Sequence, residues 1–123
     1  MAKVYLDTNI VIDCVAKRRN TFALQDKLNN HTFYFSPLSV HILFYSYKIR
    51  VPSASTVTAL LQFQIIDLSS NVLDKSLEGP SEDLEDNIQL HSAAAAECDV
   101  FLTEDKKLLA MKFFGKTKIV ESL

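Results

Sequence analysis

Apolar residues along this chain fall into short runs divided by longer amphipathic stretches. Residues 3–7 (Lys-Val-Tyr-Leu-Asp), 32–36 (Thr-Phe-Tyr-Phe-Ser), 63–68 (Phe-Gln-Ile-Ile-Asp-Leu), 98–103 (Cys-Asp-Val-Phe-Leu-Thr) and 118–120 (Lys-Ile-Val) are rich in β-branched and aromatic residues and predict strands. Between the first two, Ile10, Val11, Cys14 and Val15 recur near the helical period, after a Thr8 or Asn9 able to cap. Ser36-Pro37 supplies an N-cap and a first-turn proline for a helix over 37–49. Further helices are expected at 20–29, 53–62 and 70–77. From Ser81 acidic residues crowd the first turns of a helix that closes on four alanines, where the helix dipole favours them. A last short helix is expected at 104–113.

Strands that alternate with helices imply right-handed crossovers and a mostly parallel sheet covered on both faces. The fold class is therefore α/β, with four or five strands. At 123 residues the chain is expected to form one domain, 1–123. Two glycines and three prolines leave little room for long structureless loops.

Composition narrows function by exclusion. A net charge of -2 gives no global positive field for nucleic acid, although local clusters can act: Lys17, Arg18 and Arg19 after the first helix, and Lys106 and Lys107 after Asp105. These are the candidate phosphate contacts. Cys14 and Cys98 match no metal or redox spacing and read as unpaired, buried or half-buried thiols, consistent with a reducing, cytoplasmic setting. No run is long enough to span a bilayer, so no membrane association is expected.

Candidate chemistry begins with Asp7, which ends the first strand at the edge where open α/β sheets present their sites. Asp105 lies just past the fourth strand, and Asp86 in the first turns of the helix that feeds it. Three converging carboxylates repel unless a cation lies between them, and an all-oxygen donor set suits Mg²⁺ or Mn²⁺. An acidic, cation-holding cleft points to phosphoester substrates and to a nuclease or phosphatase. Taken singly, an Asp at a strand end is more often a helix cap or turn former than a ligand. Asn9 and Thr103 are expected in supporting roles, orienting a carboxylate or a metal-bound water. Glu82, four residues before Asp86, is expected on the same helix face; Asp83 and Glu85 read as solvated or capping, with Glu85 directed away from Asp86. Asp13 reads as surface.

Three blocks, Leu6-Asp7-Thr8-Asn9-Ile10, Asp83-Leu84-Glu85-Asp86-Asn87-Ile88-Gln89 and Phe101-Leu102-Thr103-Glu104-Asp105-Lys106-Lys107, together resemble the PIN domain family over about residues 3–120. The acidic middle block is most similar to bacterial single-domain members. The resemblance implies a three-layer α/β/α sandwich and a Mg²⁺- or Mn²⁺-dependent endoribonuclease centre built on Asp7, Asp86 and Asp105. It also implies a toxin of a toxin–antitoxin pair, homodimeric and neutralised by a small protein. The sequence departs from the family at Ile42, where a helix glutamate is usual; His41 is adjacent but about 100° around the helix. Such a loss weakens metal affinity, with Glu82 as the candidate substitute. The alternative is a PIN-fold module that binds RNA or protein with impaired or absent catalysis.

Aromatic Phe44, Tyr45 and Tyr47 occupy more than one side of their helix, which points to a dimer or partner contact. A phosphorylation-relay receiver would use Asp7, Asp67, Thr103 and Lys118, but the first strand ends on one acid rather than two. An aspartyl-nucleophile phosphohydrolase would want Asp in place of Asn9, and two glycines exclude the usual phosphate-binding loops.

Overall fold

The computed structural model describes residues 2–16 and 30–123. In chain order the elements are β1 (Ala2–Leu6), α1 (Thr8–Ala16), β2 (His31–Phe35), α2 (Pro37–Ser46), α3 (Ala54–Leu60), β3 (Gln64–Ile65), α4 (Ser70–Ser76), α5 (Leu84–Ala95), β4 (Val100–Leu102), α6 (Lys106–Met111), β5 (Phe113–Phe114) and β6 (Thr117–Val120). The helix expected at 20–29 and the basic cluster Lys17, Arg18 and Arg19 lie outside the described residues.

The six strands form one sheet in the order β3-β2-β1-β4-β6-β5, parallel except for the β5–β6 hairpin. That is one strand more than expected, because Gly115, at φ +60°, turns the chain back and lets Phe113-Phe114 pair with β6. The third strand is shorter than its apolar run, with only Gln64 and Ile65 paired and both exposed at the sheet edge. β1 lies between β2 and β4, not between β2 and β3 as a receiver domain requires.

Alternation along the strands divides the core into two layers. Val4, Leu6, Phe33, Phe35 and Leu102 pack on one face with Val11, Phe63, Val40 and Leu60, so α1, α2 and α3 cover that side. Tyr5, Phe101 and Ile119 point to the other face and meet Leu90 and Ala93 of α5 and Leu108 of α6. The Tyr5 and Phe101 rings stack with centroids 5.1 Å apart. The result is the expected α/β/α sandwich.

Several caps form as their residues dictate. The Ser36 hydroxyl accepts from the Leu38 N–H, and Ser69 accepts from Val72. At α1 neither Thr8 nor Asn9 caps; the helix starts at Thr8, and the Asp7 carbonyl accepts from Ile10 and Val11. The loop into α5 is clasped by buried Asn87, whose amide donates to the carbonyls of Ser76 and Ser81 and accepts from the Ser81 backbone N–H and hydroxyl. Among the described residues no helix is long and apolar enough to cross a membrane.

Asn87→Leu strands those loop groups inside the protein, and a loss on the order of 2 kcal/mol is expected in urea denaturation. Faster amide exchange confined to residues 76–83 would accompany it, whereas an unchanged midpoint would show that the clasp contributes nothing.

Candidate active site

The parallel register brings the first two site residues together. Leu6 of β1 pairs with Leu102 of β4, so the next residue of each strand, Asp7 and Thr103, emerges at the same edge. The Asp7 N–H donates to the Leu102 carbonyl at 3.0 Å, and the Thr103 hydroxyl donates to Asp7 Oδ2 at 2.6 Å. Asp7 Oδ1 accepts from the side-chain amide of Gln89 at 3.0 Å. Asp7 is thus buried, 5% exposed, with its carboxylate held by the side chains of Thr103 and Gln89. Burial pushes its carboxyl above the ordinary value, hydrogen bonds from Thr103, Gln89 and the Thr8 backbone oppose that shift, and the charge of Asp105 adds to it.

An open cleft of about 700 Å³ lies in front of Asp7, lined also by Asn9, Glu82, Asp83, Glu85, Asp86, Asp105 and Lys107. Asp86 is half-buried in the first turn of α5, and burial together with repulsion from Asp83, Asp7, Asp105 and Glu85 raises its carboxyl to about 6. Asp105 is the N-cap of α6: its Oδ1 accepts from the Lys107 N–H at 2.8 Å, while its own N–H donates to Thr103 at 3.0 Å. Thr103 therefore ties Asp7 and Asp105 to one hydroxyl. The three acids singled out in the sequence share a cleft, and Asn9 and Thr103 stand beside them.

Other expectations are corrected. Glu82 lines the cleft but precedes the N-cap Asp83, so the four-residue helical spacing to Asp86 does not exist. Glu85 does not turn away from the site. It lies where burial, Asp7 and Asp83 raise its carboxyl and the Thr8 hydroxyl lowers it. The cleft wraps around the first turn of α5, so neighbours 100° apart both reach it. Asp83 is a cap as expected, accepting from the Asp86 N–H. Asp13 is buried rather than on the surface. Of Lys106 and Lys107, only Lys107 lines the cleft, and it is the one cationic side chain among the described lining residues.

Asp67 is exposed and takes no part in the cleft, which removes the receiver arrangement. Ile42 is half-buried on α2 and absent from the lining; His41 is exposed and stacks on Tyr45 with ring centroids 6.3 Å apart. The contribution of α2 comes instead through Ser39, buried and hydrogen-bonded to the Thr8 hydroxyl at 2.8 Å. Gln89 escaped the reading of the sequence. Its signal was a polar amide inside Ile88-Gln89-Leu90, three residues beyond Asp86 and so on the same helix face.

The donor chemistry fits a hard divalent cation: every lining acid offers oxygen, and the acids outnumber the single lysine. Among the described residues, no three His, Cys, Asp or Glu side chains converge closely enough to hold an ion by themselves. That is compatible with Mg²⁺, which retains several waters and is commonly bound through one or two carboxylates, and the cleft has room for such a hydrated ion.

The sequence matches the family model described as PIN domain over residues 4–113. Among curated proteins none matches. Solved structures with the same fold include VapBC2 from Rickettsia felis bound to a DNA fragment from its promoter, with a TM-score of 0.68 and 17% identity over 96% of this chain and 97% of that one. Another is VapC20 of Mycobacterium tuberculosis, a Sarcin-Ricin loop cleaving toxin, with a TM-score of 0.66 and 9% identity over 94% of this chain and 98% of that one. DNA-bound VapBC from Salmonella typhimurium follows, with a TM-score of 0.62 and 16% identity over 98% of each chain. With its sheet order, acidic cleft and family match in agreement, the chain belongs to the PIN domain family.

Proposed function

We propose that this protein is a Mg²⁺- or Mn²⁺-dependent endoribonuclease that hydrolyses RNA phosphodiesters, working as the toxin of a toxin–antitoxin pair. The observation that carries the reading is the buried Asp7 carboxylate, held among the described residues by neutral donors and sharing one open cleft with Asp86, Asp105 and Glu85. A carboxylate so placed keeps its charge available for a cation, whereas pairing to Arg or Lys would neutralise it. The family match and the toxins and toxin complexes among the similar structures support the same reading.

In this reading Asp7, Asp86 and Asp105 are the metal carboxylates, one or two of them bound to the cation directly and the others through its waters, with Glu85 as the further carboxylate that α2 lacks at Ile42. When bound, the ion would polarise the phosphodiester and lower the pKa of an attacking water. Thr103 orients Asp7 and Asp105 together. Asn9, exposed at the cleft wall, is placed to hydrogen-bond substrate or water, and Lys107 to meet a backbone phosphate beside the acids. Lys17, Arg18, Arg19 and Lys106 extend the proposed backbone contacts.

The exposed apolar side chains Tyr45, Val51 and Leu61, on or next to α2 and α3, support a homodimer or a small antitoxin-like partner. Unpaired Cys14 and Cys98 accord with a cytoplasmic location. A second reading, a PIN module that binds RNA or protein without cutting, is favoured by one observation: α2 sends no carboxylate into the cleft.

Titrating Mn²⁺ into wild type and Asp7→Asn, with parallel cleavage of a mixed single-stranded RNA pool, separates the two. Saturable binding and cutting that vanish in the variant are expected; intact RNA at saturating Mn²⁺ would leave the binding module. Glu85→Gln is expected to weaken Mn²⁺ binding about 10-fold, and Glu82→Gln to leave it near wild type. The reverse order in calorimetry would return the substitute role to Glu82.

Proton linkage gives a further check. The Asp86 carboxyl titrates at about 6 in the folded protein against an ordinary value of 3.8, so the native state holds the proton more tightly than the unfolded chain. This contribution to stability is present at low pH and is lost as pH rises through about 6. In EDTA, the melting temperature should therefore be higher at about pH 5.5 than at about pH 7.5, with a smaller difference in Asp86→Asn. A melting temperature that rises steadily with pH over that window would contradict the crowding of the cleft acids.

A further inference from the structure

Gln89 stands out among buried polar residues because it is completely enclosed and spends both ends of its amide on the Asp7 region. Its Nε2 donates to Asp7 Oδ1 at 3.0 Å, and its Oε1 accepts the Thr8 backbone N–H at 2.9 Å. We propose that Gln89 is a positioning residue for Asp7, and that its amide bridge from α5 sets which carboxylate lone pairs face the cleft and the cation bound there. This rests on the metal-dependent nuclease reading.

The geometry makes the assignment specific. A carboxylate has about four lone-pair sites, two on each oxygen. Thr103, from the end of β4, engages Oδ2, and Gln89, from α5, engages Oδ1. Two side-chain donors from different elements hold the carboxylate against rotation, one on each oxygen. The Thr8 N–H is one of the donors that the first turn of α1 cannot satisfy internally. By accepting it, Oε1 fixes the amide so that the NH₂ end, not the oxygen, must face Asp7. An inverted amide would set its oxygen against Asp7 Oδ1 and turn its NH₂ toward the Thr8 N–H, and an apolar side chain satisfies neither partner.

Gln89 also connects the cleft's two sources of charge. It lies three residues after Asp86 and four after Glu85, one turn further into α5, so the contact that orients Asp7 also docks the helix carrying those acids. Neutral donors suit this task. They orient Asp7 without cancelling the charge that attracts the ion.

The test compares full-length wild type, Gln89→Leu and Leu90→Ala. Leu90 is equally buried on α5 but packs in the Tyr5–Phe101 layer, so Leu90→Ala reports the effect of loosening the helix without touching Asp7. Mn²⁺ affinity is read by calorimetry and by the electron paramagnetic resonance of free Mn²⁺. Gln89→Leu is expected to bind Mn²⁺ about 10- to 100-fold more weakly, with RNA cleavage recovering as Mn²⁺ is raised. Leu90→Ala, matched or exceeded in loss of melting temperature, should keep wild-type affinity. Equal Mn²⁺ affinity in wild type and Gln89→Leu overturns the proposal and leaves the nuclease reading intact. An equal loss in Leu90→Ala overturns it too, since the effect is then general loosening. Absence of both Mn²⁺ binding and cleavage in wild type removes the nuclease reading and this proposal with it.

Discussion

The site depends on a buried carboxylate that has no cationic partner among the described residues. Asp7 sits at the mouth of the central strand, where desolvation opposes its ionised form, and two neutral hydrogen bonds compensate only in part. Both bonds require tertiary structure. Thr103 reaches Asp7 only because β1 and β4 run parallel in one register, and Gln89 only because α5 docks across their ends. The stacked Tyr5 and Phe101 rings and the buried Leu90 hold those same three elements together from the core side.

Around that centre the first turns of two helices deliver acids to one place. Asp83 and Asp105 close α5 and α6 as N-caps, so each carboxylate satisfies backbone N–H groups while it borders the cleft. Capping and site formation are therefore not competing descriptions of these residues. Asp86 bears the cost of the arrangement, because burial first and then four neighbouring carboxylates raise its carboxyl. Lys107 offsets little of this from one side of an open cleft. A divalent cation resolves the imbalance directly, and this gives the proposed chemistry its physical basis.

The other two layers serve this edge. The face formed by Val4, Leu6 and Phe33 seats α1 and α2, which brings buried Ser39 to the Thr8 hydroxyl and steadies the turn after Asp7. On α2 the family's usual glutamate is replaced by Ile42, and the residue does not border the cleft. Its place as an oxygen source falls in the proposed function to Glu85, which enters from α5 on the opposite side.

Strand and helix identity was legible in the chain because period-two and 3.6-residue patterns are local, as at Val4-Tyr5-Leu6 and at Ser36-Pro37. That Asp7, Asp86 and Asp105 share one edge was legible too, since each ends a strand or opens a helix and parallel topology gathers such positions there. Finer placement was not. Whether Glu82 or Glu85 faces Asp7 turns on a helix starting after Asp83 rather than before it, a shift of a few residues that rotates side chains by 100° each. β6 was legible at 118–120, but its partner β5 was hidden because two residues are too short to carry a period. Gln89 had no local mark beyond a polar residue in an apolar stretch. Its role follows from contacts 81 and 82 residues away, to Thr8 and Asp7, which exist only once α5 is packed against the sheet.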